Sequence, residues 1–282
     1  MRLALALLPL LALALSNCTG EGPSGPQAIT LRFAPVVGAQ DFACGTTYDG
    51  LGTTSASASA VDFRLYVHDV AVIHQDGERE VIALDESPWQ GEGVVLLDFE
   101  DASGSCTGSP ERNLEITGMV SDLSDVTAVE FRIGVPTELN HLDSAAAPAP
   151  LNIAGMYWSW MGGYKYLRAD LAASGGESFV FHLGATKCTG DTAGGYTCEH
   201  EHVGEAIRID GFDPAADAIA VDLAALLATS DLTTANDAAD PIEGCMSGAA
   251  DPECPPLFTA LGLDFAGTPA TGGQAVFRAI TP

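Results

Sequence analysis

The 282-residue sequence predicts an all-β fold: an antiparallel β-sandwich with long disulfide-stapled loops and one or two short helices. Three observations carry this expectation. Apolar and polar residues alternate at period two through much of the chain, the mark of half-buried strands. Turn formers recur between these runs, with 31 Gly and 16 Pro, and leave little room for long helices. Seven cysteines include six that can close loops in an exported protein. A hydrophobic fraction of 47% supports a packed core despite a net charge of −27.

The elements follow in chain order. Met1-Arg2 and the apolar residues 3–16 have the shape of a secretory signal, too short to span a bilayer. The run ends at Leu15-Ser16-Asn17-Cys18, which reads as a lipoprotein cleavage site with Cys18 as the lipidated residue; Asn17 departs from the small residue usual there. Residues 1–17 are thus expected to be a signal peptide and 18–28 a lipidated Gly/Pro tether. Residues 29–282 read as a single domain.

Within that domain Ile29, Leu31 and Phe33 alternate with polar neighbours. Residues 61–67 put Val61, Phe63, Leu65 and Val67 on one face, and 126–133 turn Val129, Phe131 and Ile133 inward. Further strands are expected over 94–99, 114–120, 179–183, 206–210, 219–223 and 275–280. Short helices are expected over 222–228 and 256–261, the second capped by Gly262. Residues 103–110, 145–150 and 232–250 read as loops. In the run that ends at His74, apolar positions are odd up to Val67 and even at Val70 and Val72. A bulge at His68-Asp69 would explain that change of parity, and bulges are enriched beside functional sites; the alternative is that the strand ends and turns there.

With Cys18 set aside, Cys44, Cys106, Cys188, Cys198, Cys245 and Cys254 remain, an even number that reads as disulfides. Cys188 with Cys198 and Cys245 with Cys254 are close in sequence, and Cys44 would then pair with Cys106, one of the fifteen connectivities that six cysteines allow. Metal thiolates are the weaker reading, since no CxxC occurs and an exported protein meets an oxidising compartment.

Charge and motifs narrow the function. Against 38 acidic residues stand 11 basic ones, two of them lysines. Such a chain lacks the basic face that nucleic acid requires, and it does not adhere to anionic lipid by charge. Contact with a membrane is expected only through the lipid anchor. The balance suits a cation binder or a protein with a basic partner. No GxSxG, HExxH, phosphate-binding loop or dinucleotide fingerprint occurs, so the chain reads as a binding protein rather than an enzyme.

The histidines are the better lead, because neutral imidazole is the commonest transition-metal ligand. His182 sits within a strand, facing away from Phe179, Phe181 and Leu183; His141 follows a strand and Pro136. Taken alone, each reads as a hydrogen-bonded structural histidine. His200 and His202 would share one face of a strand, in a stretch expected to be solvated. His74, before a turn, is expected to be exposed. Met156-Tyr157-Trp158-Ser159-Trp160 reads as core packing, yet its continuation carries Gly162, Gly163 and Lys165, which a pure core strand does not need.

An ordered set of short stretches resembles the MbnP family, the metallo-mystery pair four-Cys motif proteins. The set comprises Tyr66-Val67-His68-Asp69-Val70, Trp89-Gln90, Leu97-Asp98-Phe99, Gly134-Val135-Pro136 with Asn140-His141, and Met156-Tyr157-Trp158-Ser159-Trp160 with Gly163-Tyr164-Lys165. It continues with Phe181-His182-Leu183-Gly184, Cys188, Gly195-Tyr196-Thr197-Cys198, and Gly244-Cys245-Met246 to Cys254. The resemblance implies a periplasmic or cell-surface β-sandwich that binds copper. It implies a partner, a dihaem cytochrome c peroxidase-like protein of MbnH type, which oxidises a tryptophan to kynurenine. On that basis Trp158 or Trp160 is the modified residue, and His68, His141 and His182 are the copper ligands. The four-Cys motif falls on Cys188, Cys198, Cys245 and Cys254. The alternative is a surface module that binds zinc or calcium, or stacks carbohydrate on the exposed tryptophans.

Overall fold

A computed structural model describes residues 25–159, 161–173, 178–202, 204–233 and 243–282. The expected signal, Cys18, Trp160 and part of the 232–250 loop lie outside the described residues.

Two sheets face one another. The six-stranded sheet runs Phe277–Ile280, Ala218–Asp222, Gln27–Val37, Glu115–Val120, Ala83–Leu84, with Gln40–Asp41 folded back on Gln27–Val37. The ten-stranded sheet runs Ile207–Asp210, Val126–Ile133, Ala56–His74, Leu167–Ala173, Ser178–Leu183, Glu243–Cys245. Thr47–Leu51, Val94–Asp98 and Arg79–Val81 line the other edge of Ala56–His74. Rings from the two sheets meet between them: Phe33 stands edge-on to Phe131 at 5.8 Å, and Phe131 edge-on to Phe277 at 5.3 Å. The alternation of the sequence is therefore realised as a sandwich.

It is not wholly antiparallel. Gln27–Val37 pairs in parallel with Ala218–Asp222, and Ser178–Leu183 with Glu243–Cys245. Parallel neighbours need long connections, and both pairs join segments far apart in the chain.

The expected helices form as Leu223–Leu227 and Cys254–Leu261. Asp222 caps the first, its carboxylate accepting from the N–H groups of Ala224 and Ala225. Gly262 ends the second in the left-handed region, at φ 70°. The strand Leu167–Ala173 escapes a simple pattern reading. Both its faces are covered, and its polar residues Arg168 and Asp170 are satisfied by ions on neighbouring strands.

Three disulfides form as expected: Cys44–Cys106, Cys188–Cys198 and Cys245–Cys254. They fit an extracytoplasmic compartment. Among the described residues no helix is long and apolar enough to cross a membrane.

The parity change in Ala56–His74 is a bulge. Between the pairs Arg132↔His68 and Glu130↔Ala71, the long strand spends one residue more than its neighbour. Asp69 takes up the slack with φ 52°. His74 departs from expectation. It is buried, its Nδ1 2.7 Å from Asp125 Oδ1 and its Nε2 3.1 Å from Glu80 Oε2. Two carboxylates, Glu80 on the neighbouring strand Arg79–Val81 and Asp125 in the turn before Val126–Ile133, cover the strand end that sequence alone leaves open.

Candidate functional site

Along Ala56–His74, Phe63, Leu65 and Val67 alternate with Asp62, Arg64, Tyr66 and His68, which therefore share the opposite sheet face. Strand register extends that face sideways. Asp98, Arg64, Arg168 and His182 are successive cross-strand neighbours on four strands.

The row is an ion-pair ladder. Asp62 pairs with Arg64 and, at 2.8 Å, with Arg168. Arg168 reaches Asp170 at 2.6 Å, and Asp170 Oδ1 lies 2.7 Å from His182 Nε2. Asp62, Arg64 and Asp170 are buried, and buried charges persist only when paired in this way; His182 is buried beside them. Burial alone would push the Asp170 carboxyl up, but the His182 hydrogen bond and the Arg168 charge hold it below the usual range. Asp98, at the other end, is pushed up to about 8 by desolvation against the pull of Arg64. Residues 136–166 cover this face. Tyr66 Oη donates to the Pro150 carbonyl and Tyr164 Oη to that of Leu151, while Lys165 donates to Gly155.

At the His182 end the ladder meets Trp158, on the strand Tyr157–Ser159. The two ring centroids are 6.3 Å apart. With Nε2 engaged by Asp170, Nδ1 of His182 is the acceptor nitrogen, and it is buried with no hydrogen-bond partner among the described residues. The indole Nε1 of Trp158 is also buried and has no partner among them. Orphaned polar atoms are rare in folded interiors, and here two belong to adjacent rings.

Gly184 admits the indole: a Cβ there would lie 2.5 Å from Trp158 Cζ3. Beside Trp158 a shallow depression opens between Met161, Gly162, Ala185, Thr186, Lys187, Cys188 and Met246. Met161 is exposed. The depression therefore offers two thioethers beside the orphaned pair. Sequence reasoning singled out neither methionine as a site residue; Met246 was legible only as the neighbour of Cys245.

The three expected copper ligands do not converge. His68 shares the sheet face of His182 but lies four residues along and two strands across. Strand spacing puts their Cα atoms roughly 16 Å apart. Two imidazoles bridging one ion span at most about 13 Å, given a metal–nitrogen bond of about 2 Å. His68 is nonetheless poised: its Nδ1 lies 3.0 Å from the Gly134 carbonyl, and burial lowers its pKa. His141 opens on a different depression, with Glu138, Asp143 and Asp191. Its ring stacks on Tyr196 at 4.6 Å, and its Nε2 lies 3.4 Å from Cys198 Sγ. His141 with Cys188 and Cys198 has the spacing of a metal trio, but both sulfurs are in a disulfide and carry no thiolate.

What the site can do follows from its donors. His182 presents a lone pair held in place by Asp170, the arrangement in which a carboxylate orients a ligating imidazole. The thioethers add soft donors suited to cuprous copper. The indole N–H is a donor only and offers a metal nothing.

A search of the curated proteins finds no match. Among solved structures the chain is similar to MbnP from Methylosinus trichosporium, at a TM-score of 0.80 and 28% identity over 91% of this chain and 99% of that one. The MbnP family model matches residues 26–247, and the chain belongs to the MbnP family.

Proposed function

We propose that this protein is an exported copper-binding protein whose copper site is built on His182 and on a kynurenine derived from Trp158. The observation that carries this reading is the pair of buried, unpartnered nitrogens on those two adjacent rings. Conversion of Trp158 would take up three waters, cleave the indole C2–C3 bond and release C2 as formic acid, together with four protons and four electrons. The electrons would pass through a dihaem cytochrome c peroxidase-like partner of MbnH type to two equivalents of peroxide, which are reduced to water. The product carries an aromatic amine and a ketone, so the orphaned N–H becomes a group with a lone pair beside His182 Nδ1. Membership of the MbnP family supports a copper-associated role. Copper is the cargo, and this chain acts in its acquisition or handling, as substrate of the partner rather than as an enzyme. Lipidation of Cys18 would hold the body at the outer membrane.

His182 is the central ligand of this reading, and Met161 or Met246 completes the donor set. His68 and His141 stand too far off or too firmly packed to share its ion.

The test is paired expression of the exported chain with and without the dihaem partner, followed by copper analysis and peptide mapping. Kynurenine at residue 158 with copper only in the co-expressed sample is the expected result. Kynurenine at Trp160 would move the site. Unmodified tryptophans beside a demonstrably active partner would overturn the reading. In the co-expressed protein His182→Ala is expected to lose copper while His68→Ala retains it.

A further inference from the structure

The segment Glu199-His200-Glu201-His202 lines a pocket of its own, on the far side of Thr186 from the Trp158 depression. His200 ends the strand Gly195–His200, and His202 follows with left-handed backbone at φ 52°. That turn lays the two imidazoles alongside one another, their centroids 5.7 Å apart and their planes 19° from parallel. Two imidazoles on one ion stand roughly 5–6 Å apart at their centres, given a metal–nitrogen bond of about 2.0–2.1 Å.

Each ring has a nitrogen to offer. His200 Nε2 is buried and makes no hydrogen bond; the carboxylate nearest it is Glu199, at 3.6 Å. His202 packs edge-on against Phe258 at 4.8 Å and hydrogen-bonds the backbone of Ser247. Its Nε2 has only the Thr186 hydroxyl, at 3.5 Å. Both rings line one pocket with Glu205 and Asp264. The cation at its wall, Arg132, is engaged by the Gly204 carbonyl at 2.6 Å and by Asp69 at 3.3 Å.

We propose that His200 and His202 form a second metal site, for a divalent transition ion of zinc's preferences, onto which the exposed Glu205 carboxylate swings from the pocket wall when the ion binds. Two imidazoles and a carboxylate are a nitrogen–oxygen set without thiolate, which suits zinc(II) and contrasts with the thioether-rich depression at Trp158.

The experiment uses zinc(II) alone as probe on the exported chain, by titration calorimetry and equilibrium dialysis. One zinc equivalent is expected in the wild-type protein and in His182→Ala. His200→Ala should weaken it about a hundredfold, since loss of even an outer partner of a metal site costs about tenfold or more. His200→Ala/His202→Ala should abolish it. Because His202 also packs on Phe258, the X-ray absorption spectrum of the zinc-loaded wild type supplies a measurement free of folding effects; it should show two imidazoles on the metal. Zinc uptake unchanged in the double variant, zinc lost in His182→Ala, a spectrum without imidazole scattering, or no zinc uptake at all would each overturn the proposal.

Discussion

Gly184→Ala is the most direct probe of how Trp158 is seated. The added methyl would lie 2.5 Å from Cζ3 and 3.0 Å from Cη2 of the indole, and 2.7 Å from the Tyr164 carbonyl. Carbon atoms in good contact stand about 3.5–4.0 Å apart, so the ring must shift by about 1 Å. The carbonyl side cannot yield easily, because the Tyr164 N–H is fixed by Asn140 Oδ1 at 2.9 Å. Overpacking of this kind costs about 1–3 kcal/mol. In a domain of this size each kcal/mol lowers the melting temperature by roughly 2–4 °C, so a fall of about 2–12 °C is expected. The indole should also change its fluorescence, and in co-expressed protein copper loading should fall because the ring leaves His182. Gly273→Ala is the control: nothing lies within 4 Å of its Cβ position, and its backbone is not in the left-handed region. It should be neutral or slightly stabilising. A Gly184→Ala protein with unchanged melting temperature and unchanged emission would refute the packing argument.

Other outcomes follow from the same geometry. Asp170→Asn strips Arg168 and His182 of a buried partner and should cost about 3–5 kcal/mol by chemical denaturation; in the co-expressed protein, copper affinity should fall about 10–100-fold. Serine replacement of the cysteine pairs should rank by loop length. The Cys44–Cys106 link closes a separation of 62 residues and should contribute about 4 kcal/mol, against about 2.7 kcal/mol for Cys188–Cys198 at a separation of 10; the reverse order in urea melts would count against the loop-entropy account. The hydrogen bond to Asp125, with that to Glu80, raises the pKa of His74 over the opposing effect of burial. Its contribution to stability is therefore complete below about 6.5, the unfolded value, and is lost as pH rises through the higher folded value. Asp125→Asn should flatten that part of the stability profile, and an unaltered slope would rule out the pair as its source.

The fold was legible where a single period governed a strand. Residues 126–133 alternate cleanly because one face meets the other sheet, and Phe131 stands between Phe33 and Phe277. The bulge at Asp69 was legible for the same reason, as a slip in that period. Leu167–Ala173 was not, since its charges are answered by ions on adjacent strands and no face is left polar by solvent. The site was legible residue by residue but not as an assembly. Nothing in the local pattern at His182 reveals Asp170, its partner across the ladder. Nor does the sequence show that His68, on the same face, stands two strands away. Those facts belong to register, which pairs residues far apart in the chain. His74 illustrates the converse error: a turn follows it, yet Asp125 and Glu80 close over it from outside its own segment.

The Cys188–Cys198 link has a bearing on timing. It crosses the hairpin of Thr186–Asp191 with Gly195–His200, and this hairpin contributes Thr186, Lys187 and Cys188 to the wall beside Trp158 and carries His200 directly across from Thr186. A newly made chain with free thiols lacks the clamp on both. On the proposed reading, thiol oxidation would act as a checkpoint in maturation: the walls of both proposed cation sites would become fixed only after the chain had left the reducing compartment, and metal ions in the cytosol would meet a protein not yet able to hold them.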